Sequence, residues 1–160
     1  GLDGLAVGVT LIGVLGLVII NFRLKQFDTL FILIPIAGSC FSFLKYNFYP
    51  AKILMGDGGS YLLGFLLASV SILSTTRYQV GSDDTFATAI YIPIILFSVP
   101  LFDMSTVIIS RIIDGRSPFF PDKEHIHHKL MSRGLDHRST VLLIYLFSAF
   151  AASLSISFIL

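Results

Sequence analysis

The stretch Leu5-Ala6-Val7-Gly8-Val9-Thr10-Leu11-Ile12-Gly13-Val14-Leu15-Gly16-Leu17-Val18-Ile19-Ile20 contains no charged side chain. A helix that crosses a bilayer needs about 20 mostly apolar residues. Four further stretches read the same way, at about 29–44, 61–75, 86–110 and 140–160. The third is short and could begin inside the glycine-rich run 56–60. Backbone polar groups in lipid must be satisfied within the segment, and no alternating barrel pattern is present, so these stretches predict helices. The expected fold is all-α: a polytopic helical membrane protein with about five transmembrane helices, residues 1–160 forming a single transmembrane domain.

Composition agrees. Hydrophobic residues make up 54% of the 160 and charged ones 13%, about half the usual share for a soluble domain. Mean hydropathy is +0.85. The net charge of +1 is too balanced to suggest a nucleic-acid partner. Cys40 is the one cysteine, so it has no disulfide partner within the chain and reads as a packing residue. The chain opens at Gly1, without methionine and without the basic region of a signal peptide, and reads as the C-terminal part of a longer protein.

Alternation of five spans sorts the connections onto two sides. One side receives Asp3, the connection 45–58 and the connection 111–138, with Lys45, Lys52, Arg111, Arg116, Lys123, Lys129, Arg133 and Arg138. The other receives only Arg23, Lys25 and Arg77. The Lys/Arg excess assigns the first side to the cytoplasm. The acidic run 81–84 then faces outward and reads as a solubilising loop.

The residues suited to chemistry all fall on the basic side. In Gly1-Leu2-Asp3-Gly4-Leu5 a carboxylate sits between glycines just before the first span. It reads either as a helix N-cap or as a group that approaches a phosphate. In Pro50-Ala51-Lys52-Ile53-Leu54-Met55-Gly56-Asp57-Gly58-Gly59-Ser60 an aspartate lies among glycines at the mouth of a span. Such a loop can present amide N–H groups to anionic oxygens, and one carboxylate there can hold a hard cation that also touches phosphate. Gly115-Arg116-Ser117-Pro118-Phe119-Phe120-Pro121-Asp122-Lys123-Glu124-His125-Ile126-His127-His128-Lys129 gathers imidazoles, guanidinium and amines, a donor set for anionic oxygens. A zinc site fits poorly, because no cysteine is near and His127 and His128 are adjacent. Asp103, inside the fourth apolar stretch, is costly at membrane depth and reads as part of a site wall.

These three strings resemble the polyprenyl-phosphate N-acetylhexosamine-1-phosphate transferases, of glycosyltransferase family 4 type. Gly1 to Leu5 matches the second half of the family's Asp-Gly-Leu-Asp-Gly-Leu string, Asn47 to Ser60 its Asn-Phe-x-Pro-Ala-Lys-Ile-x-Met-Gly-Asp-x-Gly-Ser string, and Gly115 to His128 its histidine string. The order His125-Ile126-His127-His128 is similar to the branch that uses UDP-GlcNAc or a related UDP-HexNAc. The phospho-MurNAc-pentapeptide transferase branch, which usually shows three adjacent histidines, is the alternative within the family. An anionic-solute transporter subunit is the alternative from another class, though its polar groups should lie at the midplane rather than at one face. The family's earlier aspartate pair and about half of its ten or eleven spans have no match in these 160 residues.

The resemblance implies an enzyme that transfers HexNAc-1-phosphate, expected to be GlcNAc-1-phosphate, from a UDP-sugar to undecaprenyl phosphate with release of UMP. It implies catalytic roles for Asp3 and Asp57, and substrate binding by Asn47, Lys52, Arg116, Lys123, His125, His127 and His128. It also implies Mg²⁺ (or Mn²⁺ in its place) on Asp57, with the bilayer, the UDP-sugar and the polyprenyl phosphate lipid as partners. The expected location is the bacterial inner membrane, with the active site facing the cytoplasm. A homo-oligomer is compatible with the sequence. These 160 residues alone are expected to be inactive.

Overall fold

The computed structural model describes residues 2–76, 85–117 and 125–158. Lys123, Pro118, Pro121, Gly1 and the acidic run 81–84 lie outside them. Among the described residues all regular structure is helical: α1 (Leu5–Arg23), α2 (Phe27–Asn47), α3 (Gly56–Thr76), α4 (Thr85–Leu96), α5 (Ser98–Ile113), α6 (Ile126–Ser132) and α7 (His137–Ser157). α1, α2, α3 and α7 are each long and apolar enough to cross a membrane, and α4 with α5 makes up to a fifth span. The protein is a multi-pass helical membrane protein.

α1 is the centre. Val7, Leu11, Val14 and Leu17 follow the three- and four-residue spacing of one helix face and are buried. They pack with Leu33, Ile36 and Cys40 of α2, Leu67 and Val70 of α3, Leu96 of α4 and Ala152 of α7. The opposite faces are strongly apolar and exposed, as at Phe31, Phe41, Phe65, Leu146 and Phe150. A water-facing surface does not carry so continuous a set of large apolar side chains, whereas lipid covers it without cost. Two buried polar side chains join helices: the Asn21 amide donates to Ser74 Oγ at 2.9 Å, linking α1 to α3, and Ser155 Oγ donates to the Ile92 carbonyl at 3.0 Å, linking α7 to α4.

One expectation is corrected. The apolar stretch 86–110 is not one straight span, because the chain bends by 78° between Leu96 and Ser98. Proline is the physical reason. Pro100 has no N–H to give to the Leu96 carbonyl, and its ring would press on that carbonyl in a continuous helix. Phe97, at the bend, packs against the core. The third span does begin inside the glycine run, at Gly56, where φ is +66°. That left-handed conformation costs a side-chain-bearing residue roughly 1 kcal/mol or more, and glycine nothing. It turns the chain directly into α3.

Candidate active site

Three of the segments assigned to the basic side meet at one end of the bundle. Asp3 Oδ2 accepts a hydrogen bond from the Ala51 amide at 3.1 Å. Asn47 Oδ1 accepts from the Gly4 amide at 3.1 Å, and Asn47 Nδ2 donates to the Ile53 carbonyl at 2.8 Å. The start of α1 and the α2–α3 connection are therefore stitched together by two side chains. α7 joins them: Tyr145 Oη donates to the Gly4 carbonyl at 2.5 Å, and Arg138 reaches the Tyr49 carbonyl at 3.4 Å. The His137 ring lies 4.4 Å from that of Tyr49.

Gly8 makes the Tyr145 contact available. A Cβ at position 8 would stand 1.9 Å from Tyr145 Oη and 2.0 Å from its Cζ. Only glycine lets the tyrosine cross α1 to reach Gly4.

The individual residues sit as follows. Asp3 is half-buried, and the N-cap position of α1 belongs to Gly4, so the Asp3 carboxylate braces the neighbouring connection instead of capping its own helix. Asn47 is buried, with both ends of its amide engaged by the backbone. Asp57 lies in the first turn of α3 with its side chain exposed, at the end of the helix whose unpaired N–H groups favour negative charge. Lys52 is exposed. Arg116 is exposed and ion-paired with Asp114; in water such a pair is worth about 0–1 kcal/mol and yields readily to a stronger anion.

The histidines lie on and just before α6, a short helix the two prolines upstream gave no reason to expect. His125 precedes its first turn, and His127 and His128 lie within it. The rings lie side by side: His125 and His127 have centroids 5.6 Å apart and nearly parallel planes, and His127 and His128 lie 4.2 Å apart, tilted by 38°. His127 is buried and its Nε2 has no hydrogen-bond partner among the described residues. Burial, followed by repulsion from His128 and His125, lowers its pKa to about 4. It is thus a neutral imidazole at pH 7, with a ring nitrogen left over.

α5 holds this segment in place. Asp103 Oδ1 accepts from the Ile126 amide at 2.7 Å, and Oδ2 lies 3.0 Å from His125 Nδ1. Asp103 and His127 also line a cavity of about 920 Å³. Most of its other lining is apolar, from Leu2, Leu5 and Val9 of α1 and its approach, Leu67 of α3, and Pro93 and Phe97 near the bend, with the hydroxyls of Thr10 and Ser71 among them. Asp103, read from the sequence as part of a site wall, lines this cavity. Tyr145, Arg138 and the Asp103–His125 contact were not legible as site features. For Tyr145 no local signal existed, since an aromatic hydroxyl in an apolar helix is common.

No group of three or more His, Cys, Asp or Glu side chains among the described residues is arranged to hold a metal ion by itself. The exposed Asp57 carboxylate at a helix start suits instead an ion that takes one or two carboxylates and completes its shell with water and substrate oxygens, as Mg²⁺ does.

Fold and site define a polytopic membrane protein in which the start of α1, the α2–α3 connection and the start of α7 meet, with Asp103 and His127 lining a mostly apolar cavity. Comparison with known proteins gives the class. Residues 1–75 match the family model described as glycosyl transferase family 4. The chain is 42% identical over 146 residues to the probable undecaprenyl-phosphate N-acetylglucosaminyl 1-phosphate transferase of Bacillus subtilis (strain 168), covering 91% of this chain and 39% of that protein. It is 41% identical to the decaprenyl-phosphate N-acetylglucosaminephosphotransferase of Mycobacterium leprae, covering 99% and 44%. It is 37% identical to the undecaprenyl-phosphate alpha-N-acetylglucosaminyl 1-phosphate transferase of Escherichia coli (strain K12), covering 66% and 27%. The chain belongs to glycosyl transferase family 4. It spans about two fifths of the length of the first two of these relatives.

Proposed function

We propose that the protein carrying this chain transfers GlcNAc-1-phosphate from UDP-GlcNAc to a polyprenyl phosphate such as undecaprenyl phosphate, releasing UMP, at the cytoplasmic face of a bacterial inner membrane. The observation that carries the proposal is a mostly apolar cavity whose lining includes Asp103 and His127 of the histidine-bearing site. A polyprenyl phosphate joins an apolar tail to an anionic head, and Asp103 and His127 are the titratable groups in the mostly apolar lining of the cavity. The names of the relatives support GlcNAc over the phospho-MurNAc-pentapeptide branch.

In the reaction an oxygen of the lipid phosphate attacks the sugar-bearing β-phosphorus, the P–O bond to the α-phosphate breaks, and UMP departs with the bridging oxygen. A phosphate monoester loses its second proton near pH 6, so the nucleophile is already charged at pH 7 and needs little base. The task left to the protein is positioning and charge neutralisation. Asp57 would hold Mg²⁺, which when bound neutralises charge on the diphosphate oxygens. Asp3 orients the lipid phosphate while it braces the α2–α3 connection. Arg116, Lys123, Lys52 and the histidines donate to phosphate oxygens. His127 Nε2, buried and without a partner among the described residues, is the nitrogen best suited to such a bond. Asn47 keeps the Gly4 and Ile53 backbones in register for these contacts.

The test is transfer of label. The full-length protein is incubated in detergent with Mg²⁺, undecaprenyl phosphate and UDP-GlcNAc labelled in the β-phosphate. Label moving into the lipid with equal release of UMP supports the proposal. Uptake of intact UDP-GlcNAc into proteoliposomes, without UMP, would support the transporter reading instead.

A further inference from the structure

Asp103 directs both of its carboxylate oxygens at the histidine segment, 22 and 23 residues further along the chain: one oxygen toward His125 Nδ1, the other toward the Ile126 amide. The side chain is only 26% exposed and borders the apolar cavity. A carboxylate in such a place is costly and persists where it is fully partnered. An ionised carboxylate only accepts hydrogen bonds, so the His125 nitrogen facing it carries a proton. That fixes the imidazole: Nδ1–H toward Asp103, Nε2 away from it. The second bond anchors the backbone on which the ring stands. Because the His125 ring stacks on His127, and His127 packs on His128, the constraint reaches all three rings.

We propose that Asp103 is a positioning residue which, through its paired bonds to His125 and the Ile126 amide, sets the tautomer of His125 and aims the histidine segment at the phosphates of the substrates. The aim toward substrate rests on the function proposed above; the tautomer does not. A carboxylate that orients an imidazole in this way tunes what the ring's other nitrogen can do, as outer partners of histidine ligands do in metal sites. Asp103 also belongs to the wall of the cavity proposed for the lipid, so one side chain ties the seat of the lipid to the groups that receive its phosphate.

Asp103→Asn separates shape from proton. The amide oxygen can still accept from the Ile126 amide, but its NH₂ now faces His125 and requires an acceptor there. In the full-length protein with ¹⁵N-labelled histidine, long-range imidazole spectra at about pH 8.5 report neutral tautomers. His125, assigned by its loss in His125→Ala, is expected to show the Nδ1–H form in the wild type and the Nε2–H form in Asp103→Asn. Asp103→Glu, which keeps an acceptor, is expected to retain the Nδ1–H form. The kcat/KM for UDP-GlcNAc is expected to fall about 10- to 100-fold in Asp103→Asn. Adding Asp103→Asn to His125→Ala is expected to cost little more than His125→Ala alone, because both remove one interaction. An unchanged His125 tautomer in Asp103→Asn, losses that multiply in the double variant, or wild-type turnover in His125→Ala would each overturn the inference. Absence of UMP release by the wild type would overturn the proposed function alone, since the tautomer is read without substrate.

Discussion

Asp3 has a visible structural task and a proposed chemical one, and two substitutions separate them. Its Oδ2 accepts the Ala51 amide at 3.1 Å, in a half-buried setting. A hydrogen bond to a charged group is worth about 1.5–3 kcal/mol, and partial exposure puts this one near the lower end. Asp3→Ala removes the acceptor and leaves the Ala51 N–H without it, so a loss of about 1.5 kcal/mol in stability is expected. Asp3→Asn can keep the bond through its amide oxygen and should lie within about 0.5 kcal/mol of the wild type. If the carboxylate also orients the lipid phosphate, Asp3→Asn loses turnover despite that intact brace. A fall of about 100-fold or more corresponds to roughly 2.7 kcal/mol of transition-state stabilisation. The assay pairs thermal unfolding in detergent with UMP release by the full-length protein. Turnover of Asp3→Asn within about twofold of the wild type would refute the chemical role and leave Asp3 as a brace.

Other outcomes follow from the same geometry. Gly8→Ala drives a methyl group into the Tyr145 ring; it should cost about 1–3 kcal/mol in thermal unfolding, and Tyr145→Ala in the same background should recover part of that loss. Asp57→Asn should abolish Mg²⁺-dependent turnover while the unfolding midpoint stays unchanged, since the amide is isosteric but lacks the charge that a hard cation requires; activity within about twofold of wild type would make Asp57 a structural residue. His127, whose pKa is lowered to about 4 chiefly by burial, resists protonation in the folded state. The unfolded chain takes up that proton as pH falls through about 6.5, so stability should decline from there down to about pH 4, by up to about 3 kcal/mol. His127→Gln should flatten this part of the stability profile, and parallel profiles for the two proteins would contradict the assignment.

The spans were legible because lipid imposes a length and a polarity that hydropathy records directly: α1, α2, α3 and α7 fall where the apolar stretches are. The bend at Phe97 was less so. Pro93 and Pro100 are both visible, but prolines within membrane helices are often absorbed as mild kinks, and here Phe97 packing on the core accompanies a full 78° turn. The motif residues were legible as chemistry but not as contacts. Asp57 carries its exposed position in its own neighbours, a glycine-rich helix start. Asn47 does not: its two backbone partners lie 43 and 6 residues away, and only the folded chain brings Gly4 to it. Asp103 announced itself by the cost of its charge, but its partner came from a segment whose short helix has too little length to show periodicity.

The central claim is that the mouth of α3 and the histidine segment serve one diphosphate. Ser60 and Lys129 are exposed neighbours of Asp57 and His128. With the buried Cys40 replaced by serine, nitroxides at positions 60 and 129 of the full-length protein report their separation by pulsed electron resonance. In the presence of Mg²⁺, UDP-GlcNAc and lipid phosphate, the account predicts one narrow distribution centred near or below about 20 Å, the reach of one ion-bridged diphosphate plus side chains and labels. A distribution centred well beyond that distance under the same conditions would contradict a shared site.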